Sequence, residues 1–332
     1  MMRIHVRHAG AAAFLVAGSA ACSRAPAPPP PPQVATRAAP PGGTWHTEPP
    51  MRYARAAHAV VSTGEAIYAL AGTGAGGAPV LAIERFDGRT WSVESTLPGP
   101  GLNAPAAAVL GRRIYVIGGF NTTTNVPSDR VYVYDTQGRT WSEAAPLPAP
   151  RGGHAAVAWD GRIHVIGGGN SRSTIADHDV YDPAQDRWTA LAPLPRAEGS
   201  PAAAVSEGKL YAIGGRSGPG DFGAVDIYDP AADRWSAGPE IEPRGTAGAV
   251  VYCGAMYLFG GESQARATTL ADVLRLGPGE SAWQRLPDMP TARDFARAVV
   301  FRDAVYVVGG SPTPGRSHAS EGSAVVERFQ CV

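Results

Sequence analysis

The sequence predicts an all-β fold in which six four-stranded units close into a ring, a six-bladed β-propeller. A short apolar segment that ends in a pair of small residues occurs six times, at intervals of 46 to 49 residues. A constant period of this length is typical of repeat architectures, including propellers. Aromatic residues recur in step with these pairs, and no segment keeps a helical period for ten residues. The six pairs are Ala71-Gly72, Gly118-Gly119, Gly167-Gly168, Gly214-Gly215, Gly260-Gly261 and Gly309-Gly310.

Each unit contains four short segments with the two-residue alternation of half-buried β-strands. In the second unit they span 105–110, 114–117, 130–134 and 140–144. Turn-forming residues separate such segments, as in the Asp-Pro turn after Tyr181, where Asp side chains can bond nearby backbone amides. We therefore expect four antiparallel strands in each blade.

Aromatic side chains occupy two fixed positions of the repeat, where we expect them to fill the space between blades. One position lies three residues before each small pair, and the other opens the fourth strand. The first set is Tyr68, Tyr115, His164, Tyr211, Tyr257 and Tyr306, and the second is Trp91, Trp141, Trp188, Trp235 and Trp283. The first strands are rich in Ala and Gly instead, which predicts that they lie at the crowded centre of the ring.

The order of these features resembles the kelch repeat of β-propellers. Each copy runs from a hydrophobic strand to Gly-Gly, a strand that ends in Tyr-Asp, then Trp and a Leu-Pro or Met-Pro. The resemblance covers about residues 44–332, and the first copy departs from it by having Ala71 for the first glycine. It implies a six-bladed kelch propeller as one domain over 44–332.

The two ends of the predicted propeller complement each other. The sixth unit ends with its third strand, at 325–331, whereas a spare fourth strand with Trp45 at 44–50 precedes the first unit. We expect this N-terminal strand to complete the last blade, because an unpaired sheet edge would promote aggregation.

The N-terminal region predicts export and a tether. Residues 1–21 resemble a signal peptide, and the small residues before Cys22 resemble a bacterial lipoprotein site at which that thiol is lipidated. An ordinary signal cleaved at the same bond is the alternative. The proline-rich segment 22–43 is expected to be a semi-rigid spacer. We therefore expect an outer membrane lipoprotein that faces the periplasm or the cell surface.

Composition argues against several classes of function. The 332 residues carry a formal net charge of zero, which disfavours nucleic acid or an acidic membrane surface as the main partner. The glycine pairs follow strands but precede no helix, so they are not a dinucleotide site. We expect no cofactor and no metal, contact with the membrane only through the lipid anchor, and a monomer.

Cys253 and Cys331 are the remaining cysteines. An oxidising compartment would allow a disulfide, but the two residues fall on different turns and strands of adjacent blades. Two free thiols are the favoured expectation, with the bridge left open.

Basic residues recur at the entrance to the first strands. Four arginines lie sixteen residues before the first member of a small pair, and two histidines begin the following strands; they are Arg55, Arg151, Arg244, Arg293, His58 and His154. Such a ring can grip carboxylates, and kelch domains that bind acidic peptides resemble this arrangement. In the alternative interpretation, the arginines bond loop carbonyls and hold the blades together.

The fifth unit contains two candidate catalytic residues. Glu262 and Arg266 follow its glycine pair, and this stretch resembles part of the exported sialic-acid mutarotase family, a six-bladed kelch fold. The resemblance implies a Glu that moves the anomeric proton and an Arg that holds the sugar carboxylate. Arg266 stands two residues earlier than the family spacing. A Glu in this place also bonds backbone amides in kelch repeats generally.

We therefore predict a binding module for a protein, peptide or glycan, which uses the face formed by the loops between second and third strands and between fourth and first strands. A mutarotase acting on an acidic sugar such as sialic acid is the alternative, and a purely architectural role is a third. Loops on a rigid scaffold are where function concentrates.

Overall fold

Short β-branched and aromatic segments separated by glycine-rich turns fold into six four-stranded antiparallel sheets, here called blades 1 to 6. The computed structural model describes residues 42–218, 220–315 and 321–331. The predicted signal peptide at 1–21, Cys22 and nearly all of the tether at 22–43 lie outside these residues.

Each blade has a first strand at the inside of the ring and a fourth strand at the outside. In the order of blades 1 to 6, the first strands are Ala59–Ser62, Ala106–Leu110, Ala155–Trp159, Ala202–Ser206, Gly248–Tyr252 and Arg297–Phe301. The second strands are Ile67–Leu70, Arg113–Ile117, Arg162–Ile166, Lys209–Ile213, Ala255–Phe259 and Ala304–Val308. The third strands are Ala82–Phe86, Val131–Asp135, His178–Asp182, Val225–Asp229, Val273–Leu276 and Val326–Cys331. The fourth strands are Trp91–Thr96, Thr140–Ala144, Arg187–Ala190, Arg234–Ala237, Gln284–Leu286 and Gly43–Glu48.

The first strands of successive blades contact one another, and the first strand of blade 6 contacts that of blade 1. The sheets therefore form a closed ring around a central channel, and the prediction of a six-bladed all-β propeller is confirmed. The first strands can approach the axis because most of them begin with Ala or Gly. The one short helix among the described residues is the 3₁₀ turn Ala75–Gly77, and no helix within those ranges could cross a membrane.

Indole groups join each of blades 1 to 5 to the blade before it or to the segment next to that blade. The five tryptophans that open fourth strands donate their Nε1–H to an oxygen of the preceding blade or of the segment that follows it; the acceptors are Pro49 O, Ser95 Oγ, Ala145 O, Ala192 O and Pro239 O. The apolar part of each of these five rings packs between blades, and its N–H has a hydrogen-bond acceptor, as a buried tryptophan requires.

The spare N-terminal strand completes blade 6, as the sequence predicts. Gly43–Glu48 pairs antiparallel with Val326–Cys331, and Trp45 stands opposite Phe329. The ring centroids of these two residues are 5.1 Å apart, and Glu48 accepts a 2.6 Å bond from Arg328. One blade is thus built from both ends of the described chain.

Cys253 and Cys331 form a disulfide with their Cα atoms 6.9 Å apart. The expectation of two free thiols is therefore wrong. Cys253 lies in the turn after the first strand of blade 5, and Cys331 ends the third strand of blade 6. The curvature of the ring brings the two positions within bridging distance, a relation that the repeat register alone does not give. The bond ties the closing blade to its neighbour.

We predict that removing this bond with a Cys253→Ser, Cys331→Ser double variant lowers the free energy of unfolding by about 2–4 kcal/mol, because the bridge restricts the unfolded chain. Urea unfolding followed by tryptophan fluorescence measures this. A reducing agent should destabilise the wild type by a similar amount and leave the double variant unchanged. Equal stability of all four samples would contradict the prediction.

Candidate functional site

The two faces of the ring differ in the length of their loops. One face, here called the looped face, carries the loops between second and third strands and between fourth and first strands. Three two-stranded ribbons extend from it, each formed by a pair of dipeptide strands: Leu102–Asn103 with Phe120–Asn121, Arg216–Ser217 with Gly220–Asp221, and Glu262–Ser263 with Thr268–Thr269.

The four predicted arginines lie at the base of the looped face, but their side chains are buried. Each guanidinium forms an ion pair with a carboxylate on, or next to, the third strand of its own blade. The pairs are Arg55–Glu84 at 2.6 Å, Arg151–Asp179, Arg244–Asp272 at 2.8 Å and Arg293–Glu327 at 2.5 Å. Three of these arginines also donate to the carbonyl of the first residue of their small pair.

These contacts favour the interpretation in which the arginines hold the blades. Each joins the entry loop to the third strand of one blade, and Arg55, Arg244 and Arg293 also reach the end of the second strand. No more than 1% of any of the four is exposed. A ligand on the looped face would have to displace a buried carboxylate to reach them. Their role in ligand binding stays a prediction, and the pairs account for the repeated spacing without it.

The two predicted histidines are also buried. His154 packs beneath Gly118 of the preceding blade, where an added Cβ would lie 2.8 Å from its Cε1 atom; His58 packs in the same way beneath Gly309. Burial, reinforced by Arg151 and Arg297, lowers the pKa of His154 to about 3. Both rings are therefore neutral spacers between blades at physiological pH, and their proposed part in binding remains untested.

Blade 4 departs from the arginine pattern. Glu198 occupies the position sixteen residues before Gly214, and Arg196 pairs with Asp226 from the third strand instead. The Glu198 carboxyl is 1% exposed and lies 3.9 Å from Nη1 of Arg196, and neither of its oxygens has a hydrogen-bond partner among the described residues. Burial, together with the charge of Asp226, raises the pKa of Glu198 to about 8.

A pocket on the looped face joins three blades. It has a volume of about 440 Å³ and is lined by Arg216, Gly218, Glu262, Gln264, Ala267, Pro314 and Gly315. These residues come from the ribbons of blades 4 and 5 and from the loop after the second strand of blade 6. We call it the ribbon pocket.

An ion pair between Arg216 and Glu262 forms one wall of the ribbon pocket. The other oxygen of Glu262 accepts a 2.7 Å bond from the backbone N–H of Gly315. Glu262 is thereby fixed and almost completely buried, whereas 21% of the Arg216 side chain remains exposed. The pair thus presents a positioned guanidinium to the pocket.

The structure separates the two residues of the predicted catalytic pair. Arg266 bonds Glu242 at 2.6 Å, whereas Arg216 forms the ion pair with Glu262. Arg216 was not among the candidates from the sequence, although it directly follows Gly214-Gly215 just as Glu262 follows Gly260-Gly261. Aligning the residue after each glycine pair would have found it.

The position after the small pair is otherwise uncharged. In the other blades it holds Thr73, Phe120, Gly169 and Ser311. The Arg216–Glu262 pair therefore distinguishes one sector of an otherwise repetitive face. Departures from a repeat at solvent-accessible loop positions are where binding specificity can arise on a rigid scaffold.

Comparisons with known proteins agree with this architecture. The Attractin/LZTR1 beta-propeller family model matches residues 114–329. Beta-scruin of Limulus polyphemus is 38% identical over 90 residues, which are 25% of this chain and 10% of that protein. The match thus spans about a tenth of its length. The solved structure of YjhT covers 84% of this chain and 95% of its own, with a TM-score of 0.71 and 15% identity, a likeness of fold alone.

We predict that Arg55→Ala lowers the free energy of unfolding by about 3–5 kcal/mol, because it leaves the Glu84 carboxylate buried without its partner. The control is Arg112→Ala, which breaks the solvent-exposed pair with Asp135 and should cost no more than about 1 kcal/mol. Urea unfolding of both variants measures the difference. Equal stabilities would mean that Arg55 is not a structural clamp.

We also predict a pH dependence from Glu198. Its pKa is higher in the folded chain than in the unfolded one, so the folded state binds the extra proton and loses stability as pH rises from about 4.5 to 8. Glu198→Gln should remove this loss and be more stable than the wild type by roughly 2–4 kcal/mol at pH 8. Urea unfolding of both proteins at pH 5 and pH 8 tests this prediction. If the free energies of unfolding of the two proteins differ by the same amount at both pH values, the prediction is wrong.

Proposed function

The chain belongs to the Attractin/LZTR1 β-propeller family, a kelch-type fold, and from this premise we propose that it is a binding module for a protein, peptide or glycan. The ribbon pocket is the proposed centre of the binding surface. Kelch-type propellers are compatible with protein binding, and a rigid ring with one distinctive sector suits a module that recognises a partner without changing shape.

The Arg216–Glu262 pair is the observation that carries the proposal. Glu262 orients the guanidinium, which leaves the remaining donors of Arg216 to bind a carboxylate or carbonyl oxygen of the ligand. Because the ion pair exists before binding, little side-chain entropy is lost when the ligand arrives. The walls formed by Ala267 and Pro314 add apolar contact beside the charge.

The proposed setting is the bacterial cell envelope. Its support is the sequence pattern of residues 1–43 alone: a signal-like segment, Cys22 as a lipidation site and a proline-rich spacer. We propose that a monomeric propeller stands away from the outer membrane on this spacer, in the periplasm or at the cell surface.

The test is a crosslinking pull-down from cell envelopes with three forms of the protein. A true partner should be recovered with the wild type and with Arg234→Gln, which changes an exposed arginine on the fourth strand of blade 4. Its recovery should fall at least about tenfold with Arg216→Gln, because a charge-assisted hydrogen bond contributes about 1.5–3 kcal/mol. Equal recovery with all three proteins would reject the ribbon pocket as the binding site.

A mutarotase remains the second candidate because Glu262 lies in a pocket beside an arginine. In this scheme Glu262 would move the anomeric proton, and Arg216, rather than Arg266, would hold the carboxylate of the sugar acid. Proton NMR of anomeric equilibration with sialic acid tests it. The scheme requires acceleration by the wild type that is lost in Glu262→Gln, and an unaccelerated rate rejects it.

A further inference from the structure

The central channel contains a charge that the repeat does not explain. The first strands of blades 1 to 5 begin with Ala59, Ala106, Ala155, Ala202 and Gly248, whereas that of blade 6 begins with Arg297. Each first strand is an edge strand of its sheet, so its free N–H and C=O groups face the channel. The small side chains at five of the six equivalent positions leave space in the channel, and the guanidinium of Arg297 lies in that space.

Arg297 lines a cavity of about 110 Å³ in the channel, together with His154 and the small residues that begin the other first strands. Its Nε donates a 2.8 Å bond to the carbonyl of His58. Among the described residues, no carboxylate lies within ion-pairing distance of it, and the two terminal nitrogens have no hydrogen bond to that part of the chain. Burial, partly offset by the charge of Asp294, lowers the pKa of Arg297 to about 10, so it remains protonated at neutral pH.

The channel is closed towards the looped face. Phe295, Ala57 and Ala104 form a buried cluster there, with Phe120 packed against it, and the guanidinium carbon of Arg297 lies 5.3 Å from the centroid of the Phe295 ring. The three buried residues of this cluster belong to a set of six equivalent positions with positive φ. The six are Ala57, Ala104, Gly153, Ser200, Thr246 and Phe295.

Backbone hydrogen bonds join these positions from blade to blade. The N–H groups of Ala104, Gly153, Ser200 and Thr246 each donate to the carbonyl of the equivalent residue in the preceding blade, at 2.5 to 3.0 Å. These bonds form an arc from Ala57 to Thr246 around the mouth of the channel, and Phe295 packs against two of its members, Ala57 and Ala104. A ligand therefore reaches Arg297 from the opposite face.

Towards that opposite face the channel widens into a vestibule whose lining side chains are almost all apolar. It has a volume of about 420 Å³ and is lined by valines and alanines, with Ser62 as the one polar side chain. It shares Val60, Ala203, Ala249 and Ala298 with the cavity around Arg297, so the two spaces adjoin. Val251 at its rim is exposed.

We propose that the channel is a binding site for an aliphatic monocarboxylate, whose carboxylate binds Arg297 and whose hydrocarbon chain lies in the valine-lined vestibule. The guanidinium offers its two terminal nitrogens to a carboxylate. Among the described residues no carboxylate lies within ion-pairing distance of the Arg297 cation, and a bound anion would supply that counter-charge. Burial of the hydrocarbon chain supplies the rest of the affinity.

Isothermal titration of the full chain with octanoate, below its micelle concentration, tests this proposal. Octanoate should bind the wild type, and Arg297→Gln should weaken binding at least about tenfold through loss of the charged hydrogen bonds. Arg234→Gln and Arg216→Gln should leave binding unchanged, which separates this site from the ribbon pocket. Acetate should bind at least about tenfold more weakly than octanoate, because it lacks the chain that fills the vestibule.

A second variant covers the case in which Arg297→Gln does not fold, as judged by circular dichroism. Ala203→Leu fills the space shared by cavity and vestibule while it retains the charge, and it should also abolish octanoate binding. The proposal is overturned if octanoate does not bind the wild type, if acetate binds as tightly, or if the folded Arg297→Gln or Ala203→Leu protein binds octanoate as the wild type does.

Discussion

The architecture depends on closure of a ring of sheets by one antiparallel pairing, that of Gly43–Glu48 with Val326–Cys331. Without it, the third strand Val326–Cys331 would become the outer edge of a three-stranded blade 6, and the blade would lose the Trp45 ring that packs against Phe329 and Phe259. The Cys253–Cys331 bond acts on the same strand. Closure holds all six first strands around one axis, and that geometry defines the looped face, the opposite face and the channel between them.

Buried charge has a different role in each part of the molecule. Paired with carboxylates of their own blades, Arg55 and its three equivalents satisfy loop carbonyls and fix the base of the looped face. Arg216 is paired yet partly exposed, and can therefore position a ligand. The terminal nitrogens of Arg297 lie in a channel walled by small residues, where a bound anion would accept their hydrogen bonds. Desolvation makes an unpaired charge costly, so the partner of each arginine indicates its function.

Several features could be predicted because they repeat along the chain. The number of blades, the strand order, the aromatic positions and the spare strand with Trp45 all follow from local patterns of about 50 residues. Glu262 was also identified as a candidate, from its place after a glycine pair. Residue type and spacing do not reveal burial, so the sequence does not distinguish ligand binding from blade clamping for Arg55, Arg151, Arg244 and Arg293.

The fold can be read from the amino-acid sequence alone, since alternation and turn chemistry act over a few residues and then recur in register. Contacts between blades depend instead on how the ring closes: Arg216 meets Glu262, Cys253 meets Cys331, and Arg297 reaches the centre of the ring. These partners lie 46 residues or more apart, or depend on all six blades at once. Their distances are set by the curvature of the closed ring, which no single repeat encodes.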